Sequence, residues 1–340
     1  MGKASRRARK NEAREARTTG TGSGTGSGHG SAGSAAAAPK AVPAPFVGRP
    51  FEGLPGESDW VALREIVPAA TATVRLRPDA ADILRAAHEA GGLPGQSEAP
   101  AALPEQVTIT TVLPMAWPAL HRGDGAHFVA LQSVSSSGDA SRDLVLALAA
   151  LAATPAGGPV VSIPQAVAAT PRLQDLLDLE SPFEVSVHEG FDYWIADDVT
   201  LDAEGSASLT QANESIIPTV KLDAVDSAYW CRVGERTHLR WILADDEDAA
   251  TAALARLHAR GELAGESGLG PGTRFLGAFR AGGLLAPVWD LDPALEAADY
   301  EDALASLAPR YAEALADDTP LDATQRRSRA GLVSRQLTLR

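Results

Sequence analysis

Residues 228–261, AYWCRVGERTHLRWILADDEDAATAALARLHARG, decide how this chain folds. Two apolar-rich runs, Tyr229–Val233 and Thr237–Leu243, flank Gly234-Glu-Arg236, which is the signature of paired strands about a tight turn. On that loop Arg232 stands opposite His238. The acids Asp245–Asp248 come next, where the positive end of a helix dipole favours them. Ala250, Ala253, Leu254 and Leu257 then recur at helical spacing as far as Gly261, a residue suited to a left-handed helix end.

The same order occurs about a hundred residues earlier. Ala119–His121 and His127–Leu131 flank Arg122-Gly-Asp-Gly125, and Leu144, Ala147, Leu148 and Leu151 trace a helix face behind Asp139 or Ser141. His127 and His238 are 111 residues apart, and the paired helix positions are each offset by 106. Further hairpins are expected at Phe183–His188 with Phe191–Ile195, and at Phe275–Phe279 with Leu284–Trp289. The pattern predicts an α+β fold of two tandem related halves, residues 105–215 and 216–318, each with an antiparallel sheet and packed helices.

A helical lead-in, residues 45–104, precedes them. Ser58 or Asp59 caps a helix from Trp60 to Val67. Thr71–Leu76 reads as a strand, and Ile83, Leu84 and Ala87 as the inner face of a second helix. The closing helix, Pro293–Ala316, should bend or break at Pro309, whose ring removes a helical donor. Residues 1–44 read as a disordered basic arm with a Gly/Ser/Ala linker, and residues 319–340 as a basic tail.

Charge narrows the partners. The net charge is −14, yet residues 1–18 and 326–340 each carry about +5, which leaves the body between them near −24. Such a body repels phosphate backbones, so nucleic-acid or ribosome contact is expected only through the Arg/Lys-rich ends. The single Cys231 excludes a disulfide framework and any multi-cysteine metal site. No apolar run reaches the length of a membrane span, and the N-terminus lacks the apolar core of a secretory signal. The expectation is a cytoplasmic protein.

Two constellations carry chemistry. In His121-Arg-Gly-Asp124-Gly-Ala-His127, a three-residue loop Gly123–Gly125 would set the histidines opposite one another, within reach of one metal ion that Asp124 or Glu189 would complete, whereas a two-residue Asp124-Gly125 turn would separate them and remove the site. The other is aromatic: Trp117, Tyr229, Trp230 and Trp241 lie in or beside strands, and an exposed subset would form a recognition surface. Phosphate-loop, dinucleotide, nucleophile-elbow, zinc-protease and kinase motifs are absent. The leading expectation is a non-catalytic binding or adaptor module for a protein or small ligand, needing no cofactor. A metal-assisted hydrolase built on His121 and His127 is the first alternative, and RNA association through the basic ends the second.

The blocks PFVGRPFEGLPGESDWVALREIVPAATATV, VLPMAWPAL, ERTHLRWIL and GTRFLGAFRAGGLLAPVWDL, with the tail RRSRAGLVSRQLTLR, resemble an actinobacterial family of unknown function over residues 45–340. That resemblance transfers no activity and no catalytic residue. Preprotein-translocase and topoisomerase names borne by some members find no nucleotide loop, cysteine-rich motif or suitably placed tyrosine here.

Overall fold

A computed structural model describes residues 42–100, 102–133 and 137–334. The expected disordered arm lies almost wholly outside them. The chain is α+β, with two antiparallel-rich sheets.

The first sheet comprises β1 (Ala70–Arg75), β2 (Gln106–Thr110), β3 (Ala119–His121), β4 (His127–Ala130), β5 (Pro159–Val160) and β6 (Val185–Val187), in the order β5-β3-β4-β2-β1-β6. β1 comes from the lead-in and pairs antiparallel with both β2 and β6. Only β2 and β4 run parallel. The second sheet holds β7 (Thr219–Leu222), β8 (Ala228–Val233), β9 (Arg236–Trp241), β10 (Arg274–Ala281) and β11 (Leu284–Asp290), in the order β10-β11-β9-β8-β7, with every pair antiparallel.

Helices complete the layers. α1 (Glu57–Glu65) and α2 (Ala80–Glu89) belong to the lead-in, and α3 (Ala140–Ala152) follows the first hairpin. α4 (Leu173–Leu176) precedes β6, α5 (Ala203–Glu214) lies between the two sheets in sequence, and α6 (Glu247–Arg260) follows the second hairpin. α7 (Glu301–Ala316) and α8 (Ala323–Ser334) close the described chain. No helix among the described residues is long and apolar enough to cross a membrane.

Two large cores result. One joins Trp60 and Leu63 of α1, Leu84, Ile109 and Leu146 to Tyr229 and Leu284 on one face of the second sheet. The other packs Trp230 and Trp289 of the opposite face against Leu254 of α6 and against Leu304, Leu307 and Leu332 of the closing helices. Neighbouring strand residues point to opposite faces, so the adjacent Tyr229 and Trp230 enter different cores. α1 is buried along Ser58–Leu63 because it serves as filler between the sheets rather than as a surface helix.

Several expectations need correcting. Phe183–Ile195 is not a hairpin: only Val185–Val187 is a strand, and Asp192–Trp194 is a 3-10 turn. Phe191 and Trp194 stack there at 4.2 Å, and the Trp194 indole N–H donates to the Val112 carbonyl at 3.0 Å, so the aromatics cover the sheet instead of extending it. The closing helix starts at Glu301, eight residues later than expected, and runs unbroken through Pro309. Burial of Leu304, Leu307, Tyr311 and Ala314 outweighs the roughly 3 kcal/mol that an internal proline costs. The stretch read as a basic tail contains α8, anchored by buried Leu332.

The two halves share the order of a hairpin followed by a helix, but their sheets are built differently. β2 lies parallel beside β4, the second strand of its hairpin, whereas β7 lies antiparallel beside β8, the first strand of its own. The turns differ too. Arg122 N–H donates to Ala126 O around Gly123–Gly125, while Val233 pairs directly with Arg236 around Gly234-Glu235.

Candidate functional site

The shorter second turn shifts its register by one residue against expectation, and a one-residue slip moves every side chain to the other face. His238 therefore faces Cys231, not Arg232. On its other side His238 pairs with Asp290, with Nδ1 and Oδ1 3.0 Å apart, which makes a Cys–His–Asp row across three strands. The row does not assemble a nucleophile. Cys231 is 2% exposed, and burial raises its thiol pKa.

The first hairpin places its histidines as the three-residue loop requires. His121 and His127 are register partners, and their rings lie face to face at 4.2 Å, 25° apart. His121 Nδ1 lies 2.7 Å from the Thr154 carbonyl, to which it donates. Asp124 is held by Arg122 at 2.6 Å, which depresses its pKa to about 2. No group of three His, Cys, Asp or Glu suited to a metal occurs among the described residues.

The aromatic recognition surface also needs correcting. Tyr229, Trp230 and Trp241 are buried at 1%, 3% and 7% exposure, because each lies on a strand covered on both faces. Trp117 is half-buried against the small cluster of Leu113, Phe128 and Ala130.

What the chain does build is a groove of about 450 Å3 where α1 meets the second sheet, lined by Ser58, Asp223, Asp226, Trp241, Asp245 and Tyr311 among others. Its floor rests on a buried polar node. The first turn of α1 is not capped by Ser58 or Asp59: Gly56, at φ 65°, stands at the N-cap, and those two side chains reach across to the sheet. The Asp59 carboxylate accepts from Ser227 Oγ at 2.5 Å and Tyr229 OH at 2.7 Å, and Lys221 Nζ lies 2.6 Å from its second oxygen. Ser58 Oγ completes the chain, donating to Ser227 Oγ at 2.8 Å. Ser227 is held at φ 57°, a strained conformation for a non-glycine residue. Burial and the Asp59 charge raise the Tyr229 pKa, so the phenol stays a neutral donor.

The groove walls are acidic and aromatic. Asp223 and Asp226 are exposed, Asp245 is half-buried, and none is in an ion pair among the described residues. Tyr311 OH donates to Asp245 Oδ2 at 2.8 Å, and the Trp241 indole N–H donates to the Asp226 carbonyl at 3.1 Å. The two rings meet edge to face at 5.3 Å. Glu301 fixes the loop by accepting from the backbone N–H groups of Asp223 and Ala224 at 2.9 and 2.8 Å. The nearby cations Arg49 and Lys221 are already engaged by Glu57 and Asp59. Three carboxylates around one groove suit an ammonium or guanidinium group.

Fold and groove together define an α+β protein with an acid-walled cleft beside α1. The chain belongs to a family of unknown function, DUF5926, whose model matches residues 50–340. Comparison with curated proteins and with solved structures gives no match.

Histidine titration gives a first test of these placements. Burial lowers the pKa of His127, His188 and His238; the His121 charge adds to the effect at His127, while Asp290 opposes it at His238. With folded pKa values below the unfolded 6.5, the unfolded chain binds more protons. Stability is therefore full above pH 6.5 and declines as pH falls from there through the folded values. Urea midpoints at pH 7.5, 6.5 and 5.5 should fall in that order, and H127Q should flatten the slope. Equal midpoints at all three would contradict the burial of these rings.

Proposed function

We propose that the folded part of this chain is a non-catalytic binding module that receives a cationic group, lysine- or arginine-like, of a protein or small ligand in the groove at α1. The observation that carries this reading is the set of three carboxylates, Asp223, Asp226 and Asp245, around Trp241 and Tyr311, none with a counter-ion among the described residues. A cytoplasmic setting belongs to the same reading, supported by the single buried thiol. The hydrolase alternative loses ground because the His121 and His127 rings stack and Asp124 is spent on Arg122.

Calorimetric titration of the full chain with a hexa-arginine peptide tests it. A charge-assisted contact contributes about 1.5–3 kcal/mol, so Asp226→Asn and Asp245→Asn should each weaken binding about ten- to a hundredfold. Glu204→Gln, on exposed α5, is the control for diffuse attraction and should change little. Equal affinity of all three variants and the parent would sink the assignment.

A further inference from the structure

Nineteen arginines lie among the described residues, and seventeen of them donate to or pair with a carboxylate, carbonyl or hydroxyl oxygen of the protein. The two without such a partner among the described residues are Arg236 and Arg240, both on β9. In a chain with 44 acids against 30 bases, a guanidinium without a partner runs against the composition. Residues 236, 238 and 240 alternate onto one face of the second sheet, the face that carries Cys231 and Val233 on the neighbouring strand. That face is divided. Around Tyr229 and Leu284 it is sealed in the core, but toward the turn it opens: Arg240 is half-buried, Arg236 exposed, and Val233 42% exposed. Asp290 is the acid facing this row, and Arg274 holds it at 2.6 Å. The open part is therefore a cationic strip with an aliphatic margin on an otherwise acidic body.

Its spacing selects an occupant. Four strand residues separate the two guanidinium-bearing positions by about 13 Å, which is also the separation of side chains at i and i+4 in an extended peptide. A single small oxyanion does not match that span, whereas acids four residues apart on an extended segment do, with an apolar residue beside Val233. We infer that this face docks an acidic, partly apolar, extended segment of a partner protein, with Arg236 and Arg240 each taking one carboxylate. This surface is separate from the groove at α1 and does not depend on it.

Fluorescence anisotropy of the full chain with a labelled peptide repeating Glu-Ser-Leu-Ser, which sets acids four residues apart and leucines between them on one face of an extended segment, provides the test, with inorganic pyrophosphate as competitor. Binding of one peptide is expected, weakened about tenfold by Arg236→Gln and by Arg240→Gln, unaffected by Asp245→Asn and little affected by millimolar pyrophosphate. Arg236 is exposed, so Arg236→Gln keeps the test valid should Arg240→Gln disturb the sheet. Absence of peptide binding, equal affinity of both arginine variants and the parent, or full displacement by pyrophosphate would each overturn the inference.

Discussion

Asp59→Ala is expected to destabilise the fold by about 3–5 kcal/mol, because removing one partner of a buried charge pair strands the other. Asp59 is 6% exposed and joins α1 to the second sheet through Ser227, Tyr229 and Lys221, residues more than 160 positions away in sequence. The substitution leaves the Tyr229 hydroxyl and Ser227 Oγ without their acceptor, and it leaves the Lys221 ammonium unpaired at the edge of the core. Asp59→Asn should cost less, since an amide oxygen still accepts one bond. Urea denaturation of both variants measures the difference. A loss below about 1 kcal/mol for alanine, the scale of a surface ion pair, would mean that the node does not fasten the helix.

The second large effect is expected at Gly283, in the turn between β10 and β11. Its φ is 84°, and a Cβ built there would lie 2.6 Å from the Gly48 carbonyl and 2.9 Å from Arg49 Cβ. A side chain must both adopt a left-handed conformation and push the Gly48–Arg49 segment off the sheet. Gly283→Val, β-branched as well, should lose several kcal/mol and lower the unfolding midpoint steeply. Gly234→Ala makes the informative comparison: its φ is 60°, but nothing lies within 4 Å of the added Cβ. That variant should show only the conformational cost, about 1–2 kcal/mol. Equal losses at the two glycines would contradict the close approach of the lead-in to the second sheet.

The parts legible in the sequence are those set by local pattern. Asp139 and Asp246 cap their helices with side-chain acceptors, Gly261 ends α6 at φ 75°, and the hairpins at 119–130, 228–241 and 274–290 form where turn residues and alternation place them. Features that depend on distant partners were hidden. Asp59 reads as a cap residue because nothing local reveals Ser227 and Tyr229 on the far side. Phe191, Tyr193 and Trp194 have strand-like composition, yet their burial against the back of the first sheet outweighs local propensity. The turn at Gly234 illustrates how little decides a face: two loop residues instead of three exchange Arg232 for Cys231 opposite His238. The groove was invisible for the same reason as the node, since its walls come from residues 58, 223–226, 241–245 and 311.

The assignment of the groove rests on where a cation goes. Titrating methylguanidinium into 15N-labelled protein and following the Trp241 indole N–H, which donates to the Asp226 carbonyl at the groove floor, localises it directly. The expected result is a saturable shift of that resonance together with the backbone amides of residues 223–226 and 244–245, abolished by Asp245→Asn. Shifts scattered over the acidic surface, or none at the Trp241 indole, would contradict a cation-binding groove at α1.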